Sequence, residues 1–356
     1  MKESVNKTFN HFKIHTQYSI CEGAIKIDNL RDFCKKNKIR ALGLSDSFNL
    51  SGALEFSEGL SSVGTQPIIG TQILFNYKNF KGLIPLIAKN DQGYKNIIKL
   101  SSKSYLQNND ITDPYCELDD LINNSEGIIV LTGSIKCLFG NLFNKGLFNE
   151  IEKILIKLKE KFLDNIYIEI QRHNDVNEKD FENYNLKISK KLELPIIASN
   201  EVYYLNKDMF DAHDALMCIG EKKYINDINR VKLTDQHYFK SSEEMIELFK
   251  DLPEGLENNF NLPFRCSFKP NTSKPILPNI SSSDTDANQM LKALSNDGLK
   301  DKFKSLFNKK IDNLENNEKY INYKKRLDHE IKIIVEMNYA GYFLIVSDYI
   351  KWAKKK

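Results

Sequence analysis

Short apolar runs and longer amphipathic stretches alternate along the first 200 residues of the chain. The apolar runs have the length and composition of buried strands, and six of them follow the first strand, at residues 41–45, 67–75, 83–88, 127–131, 166–170 and 195–198. The amphipathic stretches predict helices at residues 27–36, 51–63, 92–105, 118–123, 148–161 and 178–192. Strands and helices that alternate in this way predict a largely parallel sheet.

The first strand lies within FNHFKIHTQYSICEG, residues 9–23, and its alternation places His11, Lys13 and His15 on one face. A His-x-His pair at this spacing is a common way to offer two imidazoles to one metal ion. Here the first member of the pair is Lys13, whose charged ammonium cannot bind a metal. The function of the chain therefore depends on what this lysine replaces.

The predicted strands suit two kinds of α/β fold. About seven strands with intervening helices over roughly 200 residues fit a closed or distorted barrel at least as well as an open doubly wound sheet. Polar residues recur where the strands end, at His15, Asp46, Gln72, Ser134, Gln171, His173 and Glu201. Because both folds carry their chemistry at the carboxyl ends of the strands, we expect the functional site there.

A proline-containing stretch at residues 269–280 predicts a linker or an irregular extended crossing. We therefore place a domain boundary there, which gives domains at residues 1–269 and 270–356. The second domain has a mostly helical pattern, with helices predicted at residues 286–307 and 318–337 and an apolar stretch at 340–346.

Charge and cysteine content narrow the class of protein. The 356 residues carry a net charge of only +3, so no global field indicates nucleic acid. Residues 318–356 hold nine Lys or Arg and five Asp or Glu, a local net charge of +4, for which a solvated helix face is the commoner explanation. Six scattered cysteines without C-x-x-C spacing, no signal-peptide core and no membrane-spanning run indicate a cytoplasmic protein without a membrane partner.

Five stretches, in order along almost the whole chain, carry a resemblance to a known family: HFKIHTQYSICEG, LGLSDSFNLSGALEF, QPIIGTQILF, LIAKNDQGYKNIIKLSSKSYL and GYFLIVSDYIKWAKKK. Together they resemble the amino-terminal part of the alpha subunits of bacterial DNA polymerase III, the replicative polymerase. The resemblance implies a PHP domain, a distorted seven-stranded α/β barrel, followed by the first, mostly helical part of the polymerase palm. It also implies that the polymerase aspartates lie beyond Lys356.

The resemblance further implies a cluster of metal ligands at the barrel mouth, where two or three metals would activate a bridging hydroxide. Three ligand positions are kept, as His15, Asp46 and Glu201. The others are lost, at Lys13, Ser47, Gln72, Leu83, Ser134 and Tyr203. We therefore expect a vestigial site without a metal, in which Lys13 supplies a positive charge and pairs with Asp46 or Glu201, because buried carboxylates without a cation are strongly disfavoured.

Other candidates have simpler explanations. We expect His11 and His173 to be structural, and His213, His237 and His329 to be ordinary surface or half-buried residues. Ser134 and Ser199 lack the G-x-S-x-G elbow or ordered triad that a nucleophile needs. Cys137 has no obvious activating base and fits a small apolar position.

The resemblance implies a DNA-directed DNA polymerase, a nucleotidyltransferase, that uses Mg²⁺ held by palm aspartates and acts on DNA and deoxynucleotides. It implies that this part alone lacks the polymerase activity and that its barrel is a scaffold which docks the proofreading exonuclease subunit. It also implies other replisome subunits as partners. The alternatives are a metal-dependent PHP phosphoesterase or 3′–5′ exonuclease that uses the barrel mouth, and a binding module without an enzymatic parent.

Overall fold

The computed structural model describes residues 8–107, 114–274, 284–307 and 316–356. It divides the chain into two compact units, Met1–Thr272 and Ser273–Lys356, which are described separately below. Part of the predicted linker, residues 275–280, lies outside the described residues. The functional assignment of the two domains stays a prediction.

The first unit is built on one sheet of nine strands. They are β1 (Lys13–Ile14), β2 (Ala41–Ser47), β3 (Gln66–Tyr77), β4 (Phe80–Ala88), β5 (Tyr115–Glu117), β6 (Ile128–Leu131), β7 (Ile166–Ile170), β8 (Ile196–Ala198) and β9 (Glu201–Val202). Their order across the sheet is β8-β7-β6-β4-β3-β2-β1-β9, and β5 pairs with β3 outside this order. The sheet follows the predicted strands closely, with β7 matching its predicted bounds.

The two ends of this sheet meet in space, because β8 and β9 are its end strands and only Ser199 and Asn200 separate them in the chain. The sheet must therefore curl round on itself. Six of its strand pairs are parallel, and β4 is antiparallel to both β3 and β6. This curled, largely parallel sheet confirms the predicted distorted α/β barrel.

The antiparallel β3–β4 hairpin is the feature that the alternating pattern did not indicate. Its turn consists of Lys78 and Asn79, with φ of 51° and 69°, and two positive φ values are typical of a type I′ turn. Such turns usually contain glycine, and this one does not. The sequence therefore lacks the usual local signal for a hairpin.

Ten helices accompany the sheet among the described residues of this unit. They are α1 (Ile27–Asn37), α2 (Ala53–Ser61), α3 (Asp91–Leu106), α4 (Leu118–Asn123), α5 (Leu138–Asn144), α6 (Phe148–Phe162), α7 (Glu178–Leu192), α8 (Phe210–Glu221), α9 (Ser242–Leu248) and α10 (Pro253–Asn261). Each long helix buries one apolar stripe: α6, for example, buries Ile151, Ile154, Leu155, Leu158 and Phe162, at the spacing of a single helical face.

The barrel interior is apolar in its lower part and polar at its mouth. On β3, Ile68 is part of an apolar interior cluster, and Gln72, four residues later, shares its face. On β7, Tyr167 belongs to the same cluster, and Glu169 follows two residues later. The strands therefore deliver polar side chains to the mouth at their carboxyl ends, where the sequence predicted them.

The second unit consists of helices α11 (Asp284–Phe307), α12 (Glu318–Glu336) and α13 (Ala340–Lys355). Leu291, Ala340 and Leu344 form a small buried cluster, against which Ile334 packs. These helices confirm the predicted helical segment.

A pair of asparagines, Asn10 and Asn259, connects β8 to the segment before β1, between which the described residues form no strand pairing. The side-chain oxygen of Asn259, on α10, accepts a hydrogen bond from the Asn10 backbone N–H at 2.8 Å. Its amide nitrogen donates to the carbonyls of Asn10 at 2.8 Å and of Ala198 at 3.0 Å. Since Asn259 is fully buried, it satisfies backbone groups that no water can reach.

We predict that Asn259→Ala destabilises the first unit by about 2–4 kcal/mol. The change leaves buried backbone donors and acceptors without hydrogen-bond partners, and each such group costs about 1–3 kcal/mol of stability. Chemical denaturation monitored by circular dichroism measures this change. Asn37→Ala is the matched control, since exposed Asn37 makes only a local bond to the Phe33 carbonyl. A loss of stability as small as that of the control would show that Asn259 does not fasten the barrel.

Candidate functional site at the barrel mouth

Five strands bring a buried polar cluster together at the mouth. The cluster consists of Lys13 and His15 from the first strand and its end, Asp46 from β2, Gln72 from β3, Glu169 from β7 and Glu201 from β9. All six are buried, and Lys13, His15, Asp46 and Gln72 have no measurable exposure. Burial of so many ionisable groups requires that each charge be compensated inside the barrel.

One carboxylate oxygen, Oε1 of Glu201, is the centre of this cluster. It lies 3.2 Å from the Lys13 ammonium and 3.0 Å from Nε2 of His15. It also accepts a hydrogen bond from the Gln72 side-chain amide at 2.5 Å. Three nitrogen atoms therefore converge on one oxygen, and one of them, the Gln72 amide nitrogen, is a defined hydrogen-bond donor.

Lys13 also lies 3.5 Å from Oε1 of Glu169. Neither carboxylate is aligned with the ammonium as in a regular hydrogen bond, so charge attraction dominates both contacts. The predicted pairing with Glu201 is present. The second partner is Glu169 rather than Asp46, and the sequence analysis missed it, although a charged residue inside the apolar run IYIEI was a signal.

The pKa values of this pair follow from the charges. Burial alone would lower the pKa of Lys13, but Glu169 and Glu201 outweigh burial and raise it above its ordinary value. Burial alone would raise the pKa of Glu201, but the Lys13 ammonium and the contact with His15 bring it well below its ordinary value. Both groups are therefore charged at neutral pH.

Asp46 is compensated in a different way, by neutral donors. Its carboxylate accepts hydrogen bonds from the Thr16 backbone N–H at 2.6 Å, the Thr16 hydroxyl at 2.8 Å and the Ser19 hydroxyl at 2.7 Å. Ser19 also contacts Nδ1 of His15 at 3.2 Å. Because its oxygens already have these donors, Asp46 needs no lysine, which explains why this predicted pairing does not form.

Each position predicted as a lost ligand now makes a contact of its own. Ser47 donates to Glu22 at 2.6 Å, and the Ser134 hydroxyl lies 3.6 Å from the Cys137 sulfur. Tyr203 stacks on His15 at 4.2 Å between ring centroids, and Leu83 pairs with Leu74 on β3. Opposite Gln72 the β4 residue is Pro85, so Leu83 lies two positions away from the cluster along its strand.

Two histidines expected near the surface are in fact buried beside the mouth. His213 and His237 are each 2% exposed, which corrects that expectation. The rings of His237 and His173 stack at 4.1 Å. The segment that follows β9 has no regular periodicity, so the sequence offered no pattern from which to place His237 inside.

Burial also determines the charge of the neighbouring imidazoles. It lowers the pKa of His11 to about 4, against a smaller opposing effect of the bond between its ring and the Lys240 carbonyl. It lowers the pKa of His173 to about 3, with a further contribution from the Lys240 ammonium. Both rings are therefore neutral at pH 7.

The donor set does not fit a metal cluster. Within the described parts of the chain, no three His, Cys, Asp or Glu side chains are grouped so that they could hold a metal ion. The Lys13 ammonium lies against Glu201, where it would repel an incoming cation. The mouth is thus filled by internal charge pairs and hydrogen bonds, and its geometry supplies no activated nucleophile.

Two family models match the chain. Residues 11–173 match the PHP domain, and residues 289–356 match the bacterial DNA polymerase III alpha NTPase domain. The DNA polymerase III subunit alpha of Rickettsia bellii is 36% identical over 98% of this chain and 30% of its own length. That of Caulobacter vibrioides is 35% identical over 99% of this chain and 31% of its own length. The chain thus spans about 30% of the length of these curated relatives.

Solved structures show a weaker likeness. A putative metal-dependent phosphoesterase from Bifidobacterium adolescentis matches with a TM-score of 0.37 and 11% identity, over 54% of this chain and 86% of that chain. An amidohydrolase from Chromobacterium violaceum, with bound sulfate and no metal, matches with a TM-score of 0.38 and 8% identity, over 58% of this chain and 96% of that chain.

None of the described helices has the length and apolar character needed to cross a membrane.

We predict that Lys13→Met destabilises the first unit by about 3–5 kcal/mol at pH 7.5, because it leaves Glu169 and Glu201 buried without their cation. Methionine keeps most of the side-chain volume, so the change reports charge rather than a cavity. Urea denaturation measures the effect, and Lys35→Met on the exposed side of α1 is the control. A Lys13→Met protein as stable as the parent would contradict the proposed role of the charge.

We predict that stability falls as the pH drops from about 6.5 to 5, because the unfolded chain then protonates His11 and His173 while the folded chain does not. Each imidazole contributes a loss that approaches about 1.4 kcal/mol per pH unit below pH 6.5, or about 3 kcal/mol for both over this range. Urea denaturation at several pH values measures the slope. His11→Gln should reduce it by about a third, because His173, His213 and His237, whose pKa values burial also lowers, contribute as well. His329→Gln, at an exposed position of α12, is the control. A flat profile would mean that these imidazoles are not buried in neutral form.

Proposed function

Because the chain belongs to the bacterial DNA polymerase III alpha family, we propose that it is the amino-terminal part of a replicative DNA-directed DNA polymerase. In this proposal the nucleotidyl transfer belongs to the full polymerase chain. Its substrates are DNA and deoxynucleotides, and its Mg²⁺ ions are held by palm aspartates outside residues 1–356. This part alone is expected to be inactive as a polymerase. The full polymerase is expected in the cytoplasm.

The barrel itself is proposed to act as a scaffold without a metal. The observation that supports this role is the Lys13 ammonium, which lies between Glu169 and Glu201 in the volume where the mouth would need a metal cation. A protonated lysine compensates the carboxylates but cannot activate water for attack on a phosphodiester. The mouth therefore has the charge balance of a metal site without its chemistry.

A scaffold in this position would brace the polymerase and dock the separate proofreading exonuclease subunit. The family relationship supports this partner. The alternative function of the barrel is that of a metal-dependent phosphoesterase or 3′–5′ exonuclease. Such an enzyme would act at the mouth and would use His15, Asp46 and Glu201. The two functions differ in one measurable property, since only the second needs metal at the mouth.

We predict less than about 0.1 equivalent of bound metal after dialysis against zinc and manganese. A catalytic site needs about three free protein ligands, and His15, Asp46 and Glu201 are already engaged by partners within the barrel. Elemental analysis of the purified chain measures this content, and bis-p-nitrophenyl phosphate is the phosphodiester for a parallel hydrolysis assay. Hydrolysis is expected to equal the buffer blank. Two or three tightly bound metals, with hydrolysis that a chelator abolishes, would restore the phosphoesterase function and contradict the scaffold.

A further inference from the structure

A second concave site, which we call the amino-end pocket, lies away from the mouth residues. It is lined by the segment before β1, by the end of α1 with the residues that lead into β2, and by the start of α9. Its volume is about 410 Å³. That volume lies within the range of roughly 300–1,000 Å³ found for small-molecule sites.

The apolar wall of the pocket is aromatic. Phe33 is half-buried and packs edge-on against Phe239, with 4.9 Å between ring centroids. The centroid of the His11 ring lies 4.1 Å from that of Phe239, and the Phe9 ring lies 5.2 Å from His11. Because Phe33 is held by buried rings behind it and is partly open to the pocket, it offers a fixed surface to a flat ligand ring.

The pocket is lined by charges of both signs from different parts of the chain. Lys38 and Arg40 are exposed in the segment between α1 and β2, and Glu243 is exposed at the start of α9. In the described part of the chain none of these three side chains has an ion-pair partner. By contrast, the neighbouring Glu244 is occupied, since it accepts from the Ser241 backbone N–H at 2.6 Å and from the Tyr238 hydroxyl at 2.8 Å.

We propose that this pocket binds a guanine nucleotide. The base would stack on Phe33, and its phosphate would lie between Lys38 and Arg40. The Watson–Crick edge of guanine presents two N–H donors side by side, which match the two oxygens of the Glu243 carboxylate. Adenine has no such pair of donors, and inorganic phosphate has no ring and would be repelled by Glu243. The proposal goes beyond the polymerase function and does not depend on it.

Isothermal titration calorimetry with guanosine monophosphate (GMP) tests the proposal on the purified chain. We expect a dissociation constant on the order of 10–100 µM, as is usual for a ligand of this size. Adenosine monophosphate should bind about tenfold more weakly or worse, since it cannot pair with Glu243. Guanosine and inorganic phosphate, each lacking one half of the recognised chemistry, should also bind at least about tenfold more weakly.

Two variants test the named contacts. Arg40→Gln and Glu243→Gln should each weaken GMP binding by about tenfold or more, because each removes a charge-assisted contact. Lys36→Gln and Glu247→Gln are the matched controls, since both residues are exposed, on α1 and α9, outside the pocket, and they should bind GMP as the parent does. All four substitutions are at exposed positions, so folding is preserved.

Three results would overturn the proposal. The first is no detectable binding of GMP at about 2 mM, a concentration at which even weak sites are occupied. The second is binding of phosphate or of adenosine monophosphate as tight as that of GMP. The third is GMP binding that Arg40→Gln and Glu243→Gln leave unchanged, which would place the nucleotide elsewhere on the chain.

Discussion

Two buried carboxylates and one buried ammonium determine how the barrel mouth is built. Glu169 and Glu201 lie where water cannot solvate them, and each would be strongly destabilising as an isolated charge. Lys13 lies within 3.5 Å of both and compensates their charges, and it keeps Glu201 ionised. The contacts of His15 and Gln72 with Glu201 depend on that ionisation, because a neutral carboxyl would accept their hydrogen bonds much less strongly.

The curled sheet makes this arrangement possible. Lys13 and Glu169 are about 156 residues apart in sequence and lie on β1 and β7, which are not neighbours in the sheet. They meet only because the end strands β8 and β9 are joined by two residues, so that the sheet must close on itself. The Asn10–Asn259 hydrogen bonds complete the closure at the point where strand pairing is interrupted.

Local pattern was enough to predict most of the elements, and it failed where structure depends on distant contacts. The apolar stripe of α7 and the continuous apolar run of β7 gave their bounds directly. The Lys78-Asn79 turn was missed because its residues tolerate positive φ without being typical of it. The burial of His237 was not predictable, since its ring is held inside by His173, more than 60 residues away in the chain.

The same distinction applies to the mouth. The strand ends predicted which positions would meet there, because parallel strands bring their carboxyl ends to one edge. Strand order did not determine which carboxylate lies beside Lys13. Asp46 accepts hydrogen bonds from Thr16 and Ser19 in the loop after β1, and Glu169 is the second carboxylate beside Lys13. Local hydrogen-bond donors compete with distant charges, and only the folded geometry decides between them.

Stability alone does not explain why the mouth holds so many charged and polar groups. The attraction within a buried ion network offsets little more than the free-energy cost of removing its charges from water. Well-packed apolar residues at the same positions would often stabilise the fold equally. The network does, however, join strands that share no backbone hydrogen bonds: Lys13–Glu169 links β1 to β7, and Gln72–Glu201 links β3 to β9. Directional polar contacts of this kind fix the relative positions of the strands, whereas apolar packing tolerates small shifts. A rigid mouth is what the proposed scaffold requires, so the charge pairs that connect these strands are the contacts that would suit the barrel to that role.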